Sequence, residues 1–242
     1  MTPGTIYGVG LGPGDPDLMS VRADRLVRGA AHIAYFRKAG RAGRARTIVD
    51  GLLRADVREH PLDYPVTTEI PFADPRYNAL LADFYAGASA HLRDLAQAGD
   101  DVVVLCEGDP FFYGSFMHLH VRLKGEVPVC VVPAITGMSA AWTATGTPVT
   151  WGDDVLTVLA ATLPEAELAQ RMAEADALVV MKIGRNLARV RRALAAAGKA
   201  DRAFLVEYAS MAEERVTPLA EVEADAAPYF SIAIVHGQGR RP

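Results

Sequence analysis

Three short stretches carry the residue types with which a backbone can hold a small ligand. They are Gly8-Val9-Gly10-Leu11-Gly12-Pro13-Gly14-Asp15, Glu107-Gly108-Asp109-Pro110-Phe111-Phe112-Tyr113-Gly114-Ser115-Phe116, and Pro133-Ala134-Ile135-Thr136-Gly137-Met138-Ser139. Each follows an apolar run, and glycine lets the chain pass close to whatever it binds. The first stretch superficially suggests a dinucleotide fingerprint, but the spacing fails. A G-x-G-x-x-G frame started at Gly8 puts Pro13 at its third glycine, and one started at Gly10 puts Asp15 there. Pro13 has no N–H to offer a phosphate. No acidic residue ends the next apolar run, His32–Phe36, and there is no G-K-[ST]. The loop admits close approach without being built for pyrophosphate, and a generic tight turn explains its glycines equally well.

Around the second stretch stand Glu107, Asp109, Tyr113 and His118, each able to move a proton, yet the sequence shows no base with its orienting partner. His118 and His120 do not make a metal site: on a helix over Pro110–Lys124, residues two apart point to nearly opposite faces. Cys106 and Cys130 form no C-x-x-C pair, so no metal is expected. Arg37, Lys38, Arg41, Arg44 and Arg46 give five positive charges without an intervening acid. They read either as a mobile basic lip for an acidic ligand or as a solvated loop.

These residues need elements to position them. Short runs rich in Val, Ile and Leu read as buried strands: Thr5–Leu11, His32–Phe36, Asp101–Cys106, Val127–Val132, Val155–Ala160, Ala177–Ile183, Phe204–Tyr208 and Ser231–Val235. Helical spacing lies between them, clearest over Pro75–Gln97, with Tyr77, Leu80, Leu81, Phe84, Ala88, Leu92 and Leu95 as its apolar stripe. The alternation predicts an α/β architecture with mainly parallel sheets. Asp15-Pro16, Asp74-Pro75 and Asp109-Pro110 each suit a helix start, with Asp as cap and Pro at the first position. Asp15 and Asp109 also follow a strand and a glycine, at the sheet edge where ligands of such folds bind. A composition shift near Pro128 predicts two domains, 1–130 and 131–242, the second with four strands and neither a visible repeat of the other.

Composition narrows the class. The chain has 242 residues and is half hydrophobic, with a net charge of −4 that rules out a global basic field for nucleic acid. Two cysteines inside apolar runs fit a reducing cytoplasm. No apolar run approaches the ~20 residues of a membrane span. Twenty-one glycines and fifteen prolines in a chain of ordinary complexity must serve specific backbone positions. Trp142 and Trp151 read as packing residues, Asp153-Asp154 as a turn, and Arg240-Arg241-Pro242 as a disordered tail.

The set V-G-L-G-P-G-D, E-G-D-P-x-x-Y-G and P-A-I-T-G resembles the S-adenosylmethionine-dependent tetrapyrrole (corrin and siroheme) methyltransferases. The run Glu107–Leu123, EGDPFFYGSFMHLHVRL, together with Tyr64–Ile70, YPVTTEI, is similar to the corrin branch. The implied activity is methylation of precorrin-2 at C20. The resemblance implies a homodimer of two-domain chains with the cofactor, S-adenosylmethionine, held between the domains and leaving as S-adenosylhomocysteine. It implies cofactor contacts at Pro13, Glu107, Gly108, Asp109, Phe112, Thr136 and Gly137, and at Met181, Ile183, Ala209 and Ser231 from the second domain. Arg37, Lys38 and Tyr113 are the expected substrate contacts. Two departures bear on this: Ala134 stands where the family usually has glycine, and Tyr208-Ala209-Ser210 replaces a more usual Asn-Gly-Thr. The alternatives are the same methylation of cobalt-precorrin-2, a same-fold methyltransferase acting elsewhere on a corrin or on a protein side chain, and a nicotinamide-dependent oxidoreductase or non-catalytic nucleotide-binding module.

Overall fold

The computed structural model describes residues 2–66, 70 and 74–241. Thr67, Thr68 and Glu69 of the corrin-like stretch, and the terminal Pro242, lie outside the described residues. The chain divides into two compact units, residues 1–136 and 137–242.

The first unit runs β1 (Ile6–Gly10), α1 (Val21–Gly29), β2 (His32–Lys38), α2 (Arg44–Ile48), β3 (Arg58–Tyr64), α3 (Pro75–Gln97), β4 (Val102–Cys106), α4 (Phe116–Leu123) and β5 (Val129–Val132). Its strands form one parallel sheet in the order β3-β2-β4-β1-β5. Alternation along each strand sorts the side chains onto two faces. Val9, Ile33, Tyr35, Val103 and Leu105 pack under α1 and α2, which contribute Ala23, Val27 and Ala45, with Val49 just past the end of α2. Ile6, Ala34, Val102, Val104 and Cys106 pack under α3 and α4, against Tyr85, Leu92, Phe116 and Leu119. Burial pushes the Cys106 thiol well above its ordinary range, so it is an inert core group. Helix α3 spans the expected residues and is capped by Asp74. Of the expected stripe, Ala88 and Leu92 are buried and Leu81, Phe84 and Leu95 pack against the same core, while Leu80 is exposed; Tyr85, Ser89 and Ala96 complete the buried face.

The second unit runs α5 (Gly137–Ala144), β6 (Leu156–Ala160), α6 (Glu165–Glu174), β7 (Ala177–Met181), α7 (Leu187–Ala196), β8 (Ala203–Glu207), β9 (Arg215–Pro218) and β10 (Ser231–Val235). The sheet order is β6-β7-β10-β8-β9. Helices α6 and α7 cover one face and α5 the other. Only β6 and β7 pair in parallel; β10 lies antiparallel to both neighbours, and β8 to β9. This sheet is therefore mixed rather than mainly parallel. The link from β8 to β9 is too short for the crossover that parallel pairing requires.

Each sheet has a strand that the apolar runs did not announce. Strand β3, Arg-Glu-His-Pro-Leu-Asp-Tyr, and β9, Arg-Val-Thr-Pro, both lie at sheet edges. Solvent on one side tolerates charge there, and an edge is where proline is admitted. Helix α4 begins at Phe116, six residues past Pro110, because Asp109 and Pro110 open a turn instead. The C-terminal segment is also held rather than loose. The Asp154 carboxylate accepts from the Trp151 and Gly239 amides at 2.8 and 3.2 Å, and the Arg241 guanidinium lies 4.6 Å from the Trp151 ring centre. Among the described residues no helix is long and apolar enough to cross a membrane.

Candidate cofactor site

In the first unit the three glycine-bearing stretches leave β1, β4 and β5 at the carboxyl edge of the parallel sheet, and they meet. The Leu11 amide donates to the Cys106 carbonyl at 2.9 Å, and the Gly108 amide to the Gly12 carbonyl at 2.8 Å, joining the first turn to the second. The Asp109 carboxylate joins the second to the third. One oxygen accepts from the Phe111 amide at 2.8 Å, the other from the Ala134 amide at 3.0 Å. The approach is close enough to explain the glycines. A Cβ on Gly10 would stand 2.6 Å from the Ala134 methyl and 2.8 Å from the Gly108 carbonyl oxygen, and one on Gly8 would enter the Phe116 ring. Adjacent strands β1 and β4 send α1 and α4 to opposite faces. That divergence makes the crevice in which open α/β sheets bind ligands.

Pro13 is buried in the first turn, while Gly108, Asp109, Phe112 and Thr136 are half-buried. Glu107, next in register after the buried run of β4, points to the α1 and α2 face. Its carboxylate takes a hydrogen bond from the Ala45 amide at the start of α2, with Arg44 nearby. Loss of water outweighs both and pushes its pKa up to about 7. Tyr113 adopts a left-handed φ of 54° and its ring meets Phe112 at 4.8 Å. His118 lies 4.5 Å from the Tyr85 ring, and burial plus Arg122 lower its pKa. His120 lies instead against Phe111 at 4.8 Å. Among the described residues no three His, Cys, Asp or Glu side chains are arranged to hold a metal.

The basic stretch is more ordered and less charged than a mobile lip. Strand β2 extends to Lys38 and α2 starts at Arg44. Arg37 donates to Asp63 at 2.6 Å, and Arg46 to Glu59 at 3.0 Å and to Asp50 at 2.5 Å. The neutralising acids Glu59 and Asp63 sit on β3, whose mixed character hid it from periodicity. They are the partners that sequence reasoning missed, together with the Ala45 and Ala134 amides, which no side-chain pattern reveals.

In the second unit the expected residues gather at one edge of the mixed sheet. Strands β7 and β8 run in the same direction and end there, where β10 begins; Ser231 pairs with Glu207. Lys182, Tyr208 and Ser210, just past those ends, have φ of 57°, 52° and 64°. Met181 and Ala209 pack with Ile232 on the α5 side. Gly137 opens α5, and a Cβ there would meet only the tip of Ile232, at 3.5 Å. Two expected contacts are limited by the packing. The Ile183 side chain is fully buried in the core beneath α6 and α7, so only its backbone can face a ligand. The Ser231 hydroxyl donates to the Pro228 carbonyl at 2.8 Å.

Residues 5–223 match the family described as Tetrapyrrole (Corrin/Porphyrin) Methylases. The chain is 52% identical to a precorrin-2 C(20)-methyltransferase of Sinorhizobium sp over 240 residues, covering 99% of this chain and 98% of that protein. It is 47% identical to the cobalamin biosynthesis protein CobIJ of Mycobacterium tuberculosis over 98% of its own length, but spans only 47% of that relative. A cobalt-precorrin-2 C(20)-methyltransferase of Salmonella typhimurium is 30% identical over 97% of each chain. The solved structure of the cobalamin biosynthetic enzyme cobalt precorrin-4 methyltransferase, CbiF, has the same fold: TM-score 0.72 at 20% identity, over 96% of this chain and 94% of that one. The chain belongs to the tetrapyrrole (corrin/porphyrin) methylase family.

Proposed function

We propose that this protein is a C-methyltransferase that moves the methyl group of S-adenosylmethionine to C20 of precorrin-2. The observation that carries the reading is the 52% identity to the Sinorhizobium enzyme over nearly the whole of both chains. Pro13, Glu107, Gly108, Asp109, Phe112, Thr136, Gly137, Met181, Ile183, Ala209 and Ser231 are the proposed cofactor contacts, with Arg37, Lys38 and Tyr113 towards the substrate. The residues present suit such a ligand. Small side chains and backbone amides at strand ends match an adenosyl group and an amino acid better than they match pyrophosphate.

The bound cofactor supplies a methyl on a sulfonium centre, whose thioether leaves with the bonding electron pair. The protein's part is alignment and removal of water, and alignment alone supplies up to about 7–11 kcal/mol in the best intramolecular models. As C20 gains its methyl it must also lose a proton. Asp109 has both oxygens engaged by amides and His118 lies against Tyr85, which leaves Glu107 as the carboxyl whose protonation changes near neutrality. No single base is essential in this reading. Substituting Glu107, Asp109, Tyr113 and His118 one at a time should slow turnover without abolishing it. Complete loss of turnover in one variant that still binds the cofactor would refute this.

The working molecule in this reading is a cytoplasmic homodimer, and light scattering should give twice the chain mass of 25.9 kDa. The activity is tested by offering metal-free precorrin-2 and its cobalt complex separately, with S-adenosylmethionine, and following a gain of one methyl by mass. Faster turnover of the metal-free substrate is expected. Preference for the cobalt complex would move the assignment towards the Salmonella relative, and tight NAD binding with no methylation would overturn it.

A further inference from the structure

At the amino edge of the first sheet, away from the turns just described, three imidazoles are bonded in series. His32 Nδ1 lies 3.0 Å from His60 Nε2, and His60 Nδ1 lies 2.9 Å from His91 Nε2. The His32 and His60 rings stack at 5.2 Å, and those of His60 and His91 meet at 5.0 Å. The chain ends on a carboxylate: His32 Nε2 is 3.8 Å from Asp100. The three residues come from three elements, β2, β3 and α3. His32 is buried, His60 half-buried and His91 exposed.

The hydrogen-bond logic has one neutral solution. A neutral imidazole carries one N–H and one lone pair. Running the protons from His32 outwards would aim a lone pair of His32 at the Asp100 carboxylate. Running them inwards gives every ring an Nε2–H: His91 donates to His60, His60 to His32, and His32 towards Asp100. Only the Nδ1 of His91, at the exposed end, then stands outside the chain. A proton there breaks nothing. A proton on His60 or His32 is accommodated too, since each outer neighbour can shift to its other tautomer and every N···N contact keeps one N–H; a second proton must put two N–H groups face to face at one of the two contacts.

We propose that His32, His60 and His91 form an acid-sensitive latch that pins edge strand β3 between β2 and α3, closed while the three rings share at most one extra proton and opened when they take a second. Strand β3 pairs in the sheet along one side only, to β2; the Tyr64 hydroxyl at its carboxyl end bonds Tyr85 and Ser115, and the latch ties its amino half. The strand also carries Glu59 and Asp63, the acids that hold Arg46 and Arg37. Other groups facing the chain are Arg58 on β3 and, across a crevice of about 490 Å³ that His32 and Asp100 line, Tyr7, Arg25 and Asp101. Burial, then His91, His32 and Arg58, lower the pKa of His60, and Asp100 opposes them. A depressed imidazole pKa means that the unfolded chain takes up a proton which the folded chain resists. The stabilisation is full above the ordinary value of about 6.5 and is lost as pH falls from there towards the folded value.

The test is amide hydrogen exchange across residues 58–64 of the intact protein at about pH 7.5 and about pH 5.5, corrected for intrinsic rates, with nitrogen-15 spectra of the three rings. The expected result is Nε2–H in all three rings at the higher pH, and opening of β3 that rises about tenfold at the lower. H60Q, whose amide offers one donor and one acceptor but cannot take up a proton, should lose most of that rise. A His60 ring with Nδ1–H at the higher pH, or an equal rise in wild type and H60Q, would overturn the latch. If H60Q does not fold, the ring spectra and exchange of the wild-type protein decide alone: the wrong tautomer or pH-independent opening refutes it.

Discussion

At the scale of single residues, the site is organised by one carboxylate and several missing side chains. The family resemblance implies a cofactor contact at Asp109. In the fold one oxygen accepts from the Phe111 amide of its own turn and the other from the Ala134 amide of the third, which holds the two turns together. D109A leaves two amides without acceptors, at about 1–3 kcal/mol when such groups are buried. Cofactor affinity measured by calorimetry should fall about tenfold or more, because 1.4 kcal/mol is one decade; unchanged affinity would show that the clasp is dispensable. G10A should be at least as damaging, since the new methyl meets both Ala134 and the Gly108 carbonyl and a rigid neighbour cannot yield. Glu107 carries a pH signature. Its folded pKa lies above the unfolded one, so the stability linked to its protonation is present below about pH 4.5 and is lost as pH rises through about 7. E107Q should therefore gain in denaturant midpoint, relative to wild type, between pH 5 and pH 8. A pH-independent difference would place Glu107 in water.

At the scale of elements, the strands with continuous apolar runs and the capped helix α3 were legible because burial on both faces writes a one-dimensional signal. The edge strands β3 and β9 were not. Glu59, His60, Pro61 and Asp63 serve partners on two faces, and such a segment has neither period two nor an apolar run. That omission hid the acids opposite the basic stretch, and Arg37 and Arg46 read as free charge when Asp63 and Glu59 hold them. The pairing sets a prediction with opposite signs. R37Q should weaken binding of the polycarboxylate substrate at low salt, whereas D63N should release Arg37 and strengthen it, each modestly because the pair is partly exposed. Measured KM values moving in the same direction in both variants would remove Arg37 from substrate binding. The C-terminal clasp was invisible for a related reason: Asp154 reads as an ordinary turn acid until Gly237 and Gly239 fold over it.

At the scale of the whole molecule, two units of similar build divide the work. The first brings three strand-end turns together by backbone bonds at the edge of a parallel sheet; the second lines up Met181, Ala209 and Ser231 along one edge of a mixed sheet. The excess of glycine and proline belongs to these edges, where turns touch or helices begin. Motif order was readable along the chain because each turn is local. How the turns bond to one another was not, since Asp109 and Ala134 are linked by an amide that any residue but proline would supply. The net charge of −4 is modest for a protein that must take up an acidic macrocycle. That puts the weight of substrate recognition on local geometry rather than on a global field. The most direct check is to supply S-adenosylmethionine labelled with carbon-13 in its methyl group, together with precorrin-2, and to locate the label by NMR. The account predicts one labelled methyl per macrocycle, bonded to C20. Label at any other carbon, or none from protein that binds S-adenosylhomocysteine, would contradict it.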